Sequence, residues 1–440
     1  MISFEKDLAL VEELFETLFP INRSITGNGV RETLKILNDV VPIKINEVKC
    51  GTNVFDWKIP DEWNIKDGWI KNSKGEKIID FKTNNLHILN YSQPVRKKVN
   101  FKELSSNLFT FPSKPDLIPY RTSYYEKKWG FCMSHNNFLS LNKDDIYEVF
   151  IDSNFNKNGS LTYGEIDIKG EGEKEYLIST YTCHPSMAND NLSGIILTIL
   201  LAKHLNQCNL KNNYKIIFAP ETIGAIAFLS RNIDLNKNVT GGFIITTVAG
   251  KGEFGYKKTF LGDSDIDKSV LLAFGDKKYI KYPFAPNGSD ERQYSSPGFR
   301  IPVGSITKDK YYEYDEYHTS GDNLDFISSK CLLESLHLYK RAIDNLERNI
   351  YYKRANPYCE YQLGKYDLYP KLGGGIYQPL ANKNKKVISS DKKINCLEWL
   401  SFLCDGKNSL MDISITAKID IELLHEVAKE MESFNLLKRI

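Results

Sequence analysis

The run Tyr181-Thr-Cys-His184-Pro-Ser-Met-Ala-Asn-Asp190-Asn-Leu-Ser-Gly194 decides how this chain is read. Before it stands Tyr176-Leu-Ile-Ser-Thr-Tyr-Thr, whose aromatic and β-branched content is that of a buried strand. After it stands Ile195-Ile-Leu-Thr-Ile-Leu-Leu-Ala-Lys-His-Leu205, long and apolar enough for a buried helix. His184 and Asp190 are thereby expected on a loop at the carboxyl end of a parallel strand, where open α/β sheets hold ligands. An imidazole and a carboxylate six residues apart on such a loop can reach one ion.

Working outward, the same alternation recurs. Strands are expected at Tyr214–Phe218, Gly242–Thr247 and Ile301–Ile306, and helices at Gly224–Ser230, Ile266–Phe274 and Ser329–Arg348. Alternating strands and helices build a mixed α/β sheet with a parallel centre and helices on both faces. Residues 140–356 carry that sheet, joined by two helices within residues 1–48, the first ending before Pro20. Residues 49–139 differ in texture: short β-prone runs are separated by turn formers such as Asn72-Ser-Lys-Gly, which describes an inserted β-rich domain. His87 and His135 fall within it and read as hydrogen-bonding residues rather than ligands.

Residues 357–440 form a linker and a small C-terminal domain: a Tyr- and Gly-rich loop at 366–375, a basic strand-like start near 383, a helix from Cys396, the turn Asp405-Gly406 and two further helices. The order is that of a winged helix. From Asp391 onward seven basic residues face nine acidic ones, and the helix in the recognition position, Ile421-Glu-Leu-Leu-His-Glu-Val-Ala-Lys-Glu-Met, is acidic. A DNA reader neutralises phosphates with Lys and Arg, so the expected role is docking of a protein partner rather than nucleic-acid binding.

The whole chain carries 58 Lys plus Arg against 56 Asp plus Glu, a formal net charge of +2, which supplies no global field toward nucleic acid or anionic lipid. Its eight cysteines show no C-x-x-C pair and suit a reducing compartment. The first residues form an acidic amphipathic helix unlike a secretion signal, and the longest apolar run, within 195–202, is too short to span a membrane. A cytoplasmic location without membrane attachment is expected, and self-association is left open.

Further strand-end loops add chemistry to the first. Phe218-Ala-Pro-Glu221-Thr222-Ile-Gly224 places a glutamate where a strand becomes a helix; Asn287-Gly-Ser-Asp290-Glu-Arg292-Gln-Tyr294 is polar; Glu313-Tyr314-Asp-Glu-Tyr317-His318-Thr-Ser-Gly-Asp322 brings a second histidine. Two imidazoles, a carboxylate and a spare glutamate suit a hydrolytic zinc, with the glutamate taking a proton from water. The residues also admit plainer readings: Asp190 and Asn191 as helix caps, Glu221 as a first-turn acid favoured by the helix dipole, and His184 as a hydrogen-bonded loop histidine.

The wording of these loops (H…D-N-x-S-G, F-x-x-E-x-x-G, S-D, then Y-H-T-x-x-D) resembles the clan of zinc exopeptidases that includes bacterial leucyl aminopeptidase, glutamate carboxypeptidase and glutaminyl cyclase. Within that clan the chain is most similar to a bacterial family with an aminopeptidase-like core, an inserted β-rich module and a C-terminal winged helix. The phrases Leu18-Phe-Pro-Ile-Asn-Arg-Ser-Ile-Thr-Gly27, Trp63-Asn-Ile, Gly288-Ser-Asp-Glu-Arg-Gln-Tyr294 and Glu316-Tyr-His-Thr-Ser-Gly-Asp-Asn323 carry that resemblance together with the opening stretch.

The resemblance implies that His184, Asp190 and His318 are metal ligands and that Glu221 is the general base. It also exposes two departures: Thr222 and Thr247 stand where typical members carry carboxylate ligands, and neutral hydroxyls are poor zinc ligands. One zinc ion rather than two follows. Asp290, Arg292 and Tyr314 are candidate substrate contacts, and Tyr314 or Tyr317 could donate to an oxyanion. The expected activity is amide hydrolysis on a small peptide-like substrate. Two alternatives are a degenerate fold kept as a binding or regulatory module, and an amide hydrolase or acyltransferase acting on a sugar or modified amino acid.

Overall fold

The computed structural model describes residues 2–368 and 390–440, so the end of the Tyr- and Gly-rich loop and the strand expected near 383 lie outside the described residues. The chain divides into two compact units, Met1–Ile266 with Asp276–Tyr339, and Asp267–Gly275 with Lys340–Ile440.

The first unit is organised by an eight-stranded mixed sheet in the order Lys44–Lys49, Ser160–Ile168, Asn213–Ala219, Glu175–Tyr181, Val239–Ile244, Val303–Lys308, Phe254–Lys257, Ile280–Tyr282. Its four central strands run parallel, as the alternation of elements predicts. Glu175–Tyr181 is buried at every position. The next strand in the chain pairs on one side of it and the one after that on the other. The order of growth therefore reverses at this strand, and its carboxyl end opens at the switch point where ligands bind.

The helix Gly194–Leu205 that follows is apolar almost all round and buried along its length except Lys203 and His204, as a helix between a sheet and other elements must be. Its first residue has no substitute. A Cβ on Gly194 would run into Asn191 Oδ1 and the Ile245 carbonyl oxygen.

Two differences from expectation have local causes. The strand Lys44–Lys49 sits at the sheet edge, where the sequence reading places only helices. It buries Val48 alone, so no apolar alternation announces it. The β-rich residues build a four-stranded sheet in the order Lys77–Asp80, Glu62–Lys71, Ile146–Asn156, Val95–Asn100. Its longest strand, Ile146–Asn156, comes from beyond residue 139, and the sheet belongs to the same compact unit as the main one. Ring nitrogens of His87 and His135 bond the Cys132 carbonyl and the Thr110 hydroxyl.

The second unit contains a winged helix. Three antiparallel strands, in the order Asp405–Ser409, Tyr351–Arg354, Leu437–Arg439, accompany the helices Ser390–Leu403, Leu410–Ala417 and Ile421–Ser433. Tyr351–Arg354 adds a strand from before residue 357. Ile421–Ser433 buries Ile421, Leu424, Val427, Ala428 and Met431, leaving Glu422 and Glu426 exposed.

Candidate metal centre

His184 leaves the central strand pinned from behind. The guanidinium of Arg23, only 1% exposed, donates to the His184 carbonyl at 2.8 Å and to the Leu18 carbonyl at 2.7 Å. Asp190 is fully buried at the start of the turn into the helix. His318 arrives on the loop after Val303–Lys308, and its backbone is held by a segment of the β-rich region. The Tyr120 N–H donates to the His318 carbonyl at 2.8 Å, and the Ser320 N–H to the Ile118 carbonyl at 2.8 Å. Two strand ends and the β-rich region thus meet at one point.

The donor atoms converge there. His318 Nε2 lies 3.1 Å from Asp190 Oδ2, and His184 Nδ1 lies 3.4 Å from Asp190 Oδ1. One ligand atom from each of His184, Asp190 and His318 falls within 4.8 Å of the other two. Zinc bonds of about 2.0–2.1 Å in a tetrahedron separate ligand atoms by about 3.3 Å, so the observed spacings suit a shared ion. Alignment points the same way. Asp190 Oδ2 and His318 Nε2 are close, buried and yet without a hydrogen-bond partner. They face a common point rather than each other.

Charge agrees with geometry. Burial opposes ionisation of Asp190, but the two imidazoles override it and hold its carboxyl well below the usual carboxylate range. For His184, burial opposes protonation while Asp190, Cys183 and Glu221 carry its pKa well above the ordinary value. A fully buried carboxylate between two imidazoles needs positive charge beside it, which a protonated imidazole or a bound cation supplies.

Glu221 stands beside this cluster, its Oε2 3.6 Å from His184 Nε2. Its turn is built by neighbours. The Glu221 N–H donates to Cys183 Sγ at 3.3 Å, and the Thr222 N–H to Asp290 Oδ1 at 2.8 Å, with Thr222 at φ +61°. Burial pushes the Cys183 thiol up to about 12; its sulfur also lies within 4.8 Å of ligand atoms of His184 and Glu221. Burial, then the charge of Glu221, raises the Asp290 carboxyl well above its ordinary value.

Three expected substrate contacts need correction or placing. Asp290 is 2% exposed and spends an oxygen on the Thr222 turn, so it supports that turn rather than meeting a ligand. Tyr314 donates its hydroxyl to Asp322 Oδ2 at 2.9 Å and is not free to serve an oxyanion. Arg292 is exposed and reaches the Thr222 hydroxyl at 3.4 Å. Tyr317 instead stacks on the His318 ring, 4.0 Å between centroids. Glu313 pairs with Lys310 and the Asp315 side chain is fully exposed, so neither supplies a ligand.

Four supporting residues carry no metal-ligand signature in the sequence. Tyr181 donates to Asp190 Oδ1 and lies 2.6 Å from the Thr246 hydroxyl, occupying the oxygen that a bridging carboxylate would give a second ion. Tyr120 packs edge-on against both imidazoles at 5.2 Å. Asp322 accepts from the N–H groups of Asn189 at 2.6 Å and Asp190 at 2.9 Å, as well as from Tyr314. Asn189 Oδ1 accepts from Ala249 and Gly250 at 2.9 and 3.1 Å, tying down the loop that carries Thr247. Thr247 is buried and brings no carboxylate. Of these Tyr181, Asn189 and Asp322 stand in quoted stretches with no role assigned to them there, and Tyr120 is found by tertiary contact alone.

Comparison with known proteins gives this chain its relatives. A family model described as "Domain of unknown function (DUF4910)" matches residues 12–349, and a winged helix-turn-helix model matches residues 350–439. A Clostridium acetobutylicum protein, named for polysaccharide biosynthesis and for an aminopeptidase-like domain, is 47% identical over 433 residues, 98% of this chain and 96% of that protein. A crystal structure from Clostridium acetobutylicum, named as a peptidase, superposes with a TM-score of 0.88 at 45% identity, covering 99% of this chain and 97% of that one. A zinc aminopeptidase from Bacillus subtilis superposes with a TM-score of 0.55 at 14% identity over 77% of this chain and 94% of its own, a likeness of fold.

Proposed function

This chain belongs to the family described as "Domain of unknown function (DUF4910)", and from that premise we propose that it is a zinc-dependent hydrolase of aminopeptidase type, acting on an amide bond of a small peptide-like substrate with one ion. The observation that carries the reading is the pair of buried, unpartnered atoms Asp190 Oδ2 and His318 Nε2, 3.1 Å apart and completed by His184. His184, Asp190 and His318 would hold the ion. Three protein ligands and an open position are the usual catalytic arrangement. Thr222 and Thr247 bring hydroxyls instead of carboxylates, and Tyr181 occupies Asp190 Oδ1, which favours a single ion.

When bound, the ion would supply Lewis acidity toward a carbonyl and toward water. The remaining chemistry belongs to the chain. Glu221 takes a proton from the attacking water and returns it to the leaving amine as the amide C–N bond breaks. Asp290 and Cys183 hold the turn that aims Glu221. Tyr317, stacked on His318, fixes the imidazole plane and lines the site beside it.

The test is Glu221→Gln. With added zinc, manganese or cobalt the wild type is expected to release product from an aminoacyl-anilide or dipeptide, and the variant to keep its metal while losing at least about 100-fold in rate. A variant as active as wild type would refute the assignment of the base. A second reading, a binding module retaining the fold, is favoured by the neutral residues Thr222 and Thr247. Metal analysis of the purified protein separates the two, since a stoichiometry near zero selects the module.

A further inference from the structure

Two of the sequence phrases set out above take no part as ligands or base: Leu18-Phe-Pro-Ile-Asn-Arg-Ser-Ile-Thr-Gly27 and Trp63-Asn-Ile. They meet in space. Together with residues 81–85 and the loops carrying His184 and His318, they wall a cleft of about 790 Å³ within the first unit. The meeting is close: Gly27 adopts φ +100°, and a Cβ there would run into the Trp63 carbonyl oxygen.

The walls say what the cleft can hold. Twelve of its twenty-two lining residues are Asn, Ser or Thr, and the lining surface is divided almost evenly between polar and apolar atoms, which suits a ligand carrying both hydroxyls and apolar C–H faces. The charged lining residues, Glu32, Lys66 and Lys82, are all exposed, so no buried counter-charge awaits an ion. Asn85 is held with its Nδ2 donating to Ser186 Oγ at 2.7 Å, while its Oδ1 is buried without a partner. The Asn22 side chain lines the cleft with no partner among the described residues. Carboxamides present a donor and an acceptor side by side, which matches vicinal hydroxyls that also donate and accept. Phe19 and Phe81, both half-buried, add apolar carbon to the same lining.

An extended peptide fits less well. Strand addition needs free main-chain groups, and at Trp63 the N–H is already taken by the Thr26 hydroxyl at 2.9 Å. From these observations we propose that the cleft is a saccharide-binding site for a neutral, polyhydroxylated ligand, with Asn22 and Asn85 reading its hydroxyls.

Its position ties it to the metal centre. Ser186 and Ser320 line the cleft, and each is two residues beyond a proposed ligand histidine. Two residues of extended chain span at most about 7 Å. Resting on the hydrolase reading, the cleft makes the substrate a glycan-bearing amide whose sugar portion lies between these loops.

The experiment is titration of the full-length protein with cellobiose, lactose and N,N′-diacetylchitobiose, with tetraalanine as the peptide arm, followed by saturation-transfer NMR and calorimetry. At least one disaccharide is expected to bind in the millimolar range. Asn22→Ala and Asn85→Ala should each weaken it roughly three- to tenfold, the worth of one neutral hydrogen bond. The Asn22 side chain has no hydrogen-bond partner among the described residues, so its variant keeps the test sound if Asn85→Ala misfolds. Failure of all three sugars to bind, binding unchanged in Asn22→Ala, or tetraalanine binding weakened by these substitutions would each overturn the proposal. Zinc content and anilide cleavage in the same samples judge the hydrolase reading separately. Sugar binding without zinc sustains the cleft alone, and zinc-dependent cleavage without sugar binding removes only the cleft.

Discussion

Asp322→Asn tests whether the metal centre is held by its supports. Asp322 is fully buried and accepts three hydrogen bonds: Asn189 N–H at Oδ1, and Asp190 N–H and the Tyr314 hydroxyl at Oδ2. An asparagine placed to keep the two bonds at Oδ2 must turn its amide nitrogen toward the Asn189 N–H, 2.6 Å from the original oxygen. One bond is lost, and two donors face each other in a dry site. A bond to a charged acceptor is worth about 1.5–3 kcal/mol. Burial and the charge of Asp190 raise the Asp322 carboxyl to about 7, so it is only partly ionised near neutrality and the cost is expected at about 2 kcal/mol. Four of the five tryptophans lie in the first unit, so urea unfolding followed by their fluorescence reports on it. Because Asn189 and Asp190 lead the ligand turn, zinc affinity should also fall by at least about tenfold, as with other outer-shell partners of a metal site. A variant that unfolds at the wild-type urea concentration and binds zinc as tightly would refute the claim that Asp322 fixes Asp190.

Gly27→Ala forces a Cβ against the Trp63 carbonyl oxygen at a left-handed φ of +100°; a loss of about 3 kcal/mol or more is expected in urea unfolding, or failure to accumulate folded protein. Burial lowers the pKa of His87, so the β-rich region should hold full stability above about pH 6.5 and lose it as pH falls through the lowered value. His87→Gln should flatten that part of the stability profile measured by fluorescence. The winged helix exposes Glu422 and Glu426, so a gel-shift at low salt with duplex DNA should show no retarded band, and one that disappeared on deleting residues after 382 would reverse the expectation of protein docking.

The sequence by itself determined the parallel centre of the sheet and the strand-end places of His184, Asp190, Glu221 and His318. Each of these depends on local signals: an apolar run, a turn, then a helical run, with polar residues between. It also showed that Thr222 and Thr247 bring no carboxylate, because that is a matter of residue identity alone. The tertiary structure decided what faces what. Tyr314 looks as able as Tyr317 to serve the site until its hydroxyl is found on Asp322. Tyr181 reads as one more buried strand residue until it is seen to occupy Asp190 Oδ1. Tyr120 lies nearly 200 residues before His318, and no periodicity encodes the bond between them. The cleft walled by residues 18–29 and 63–65 is likewise invisible along the chain. Periodicity reports which way a side chain points relative to its own element, whereas a site depends on which distant element that side chain meets, and only packing of the whole unit sets that.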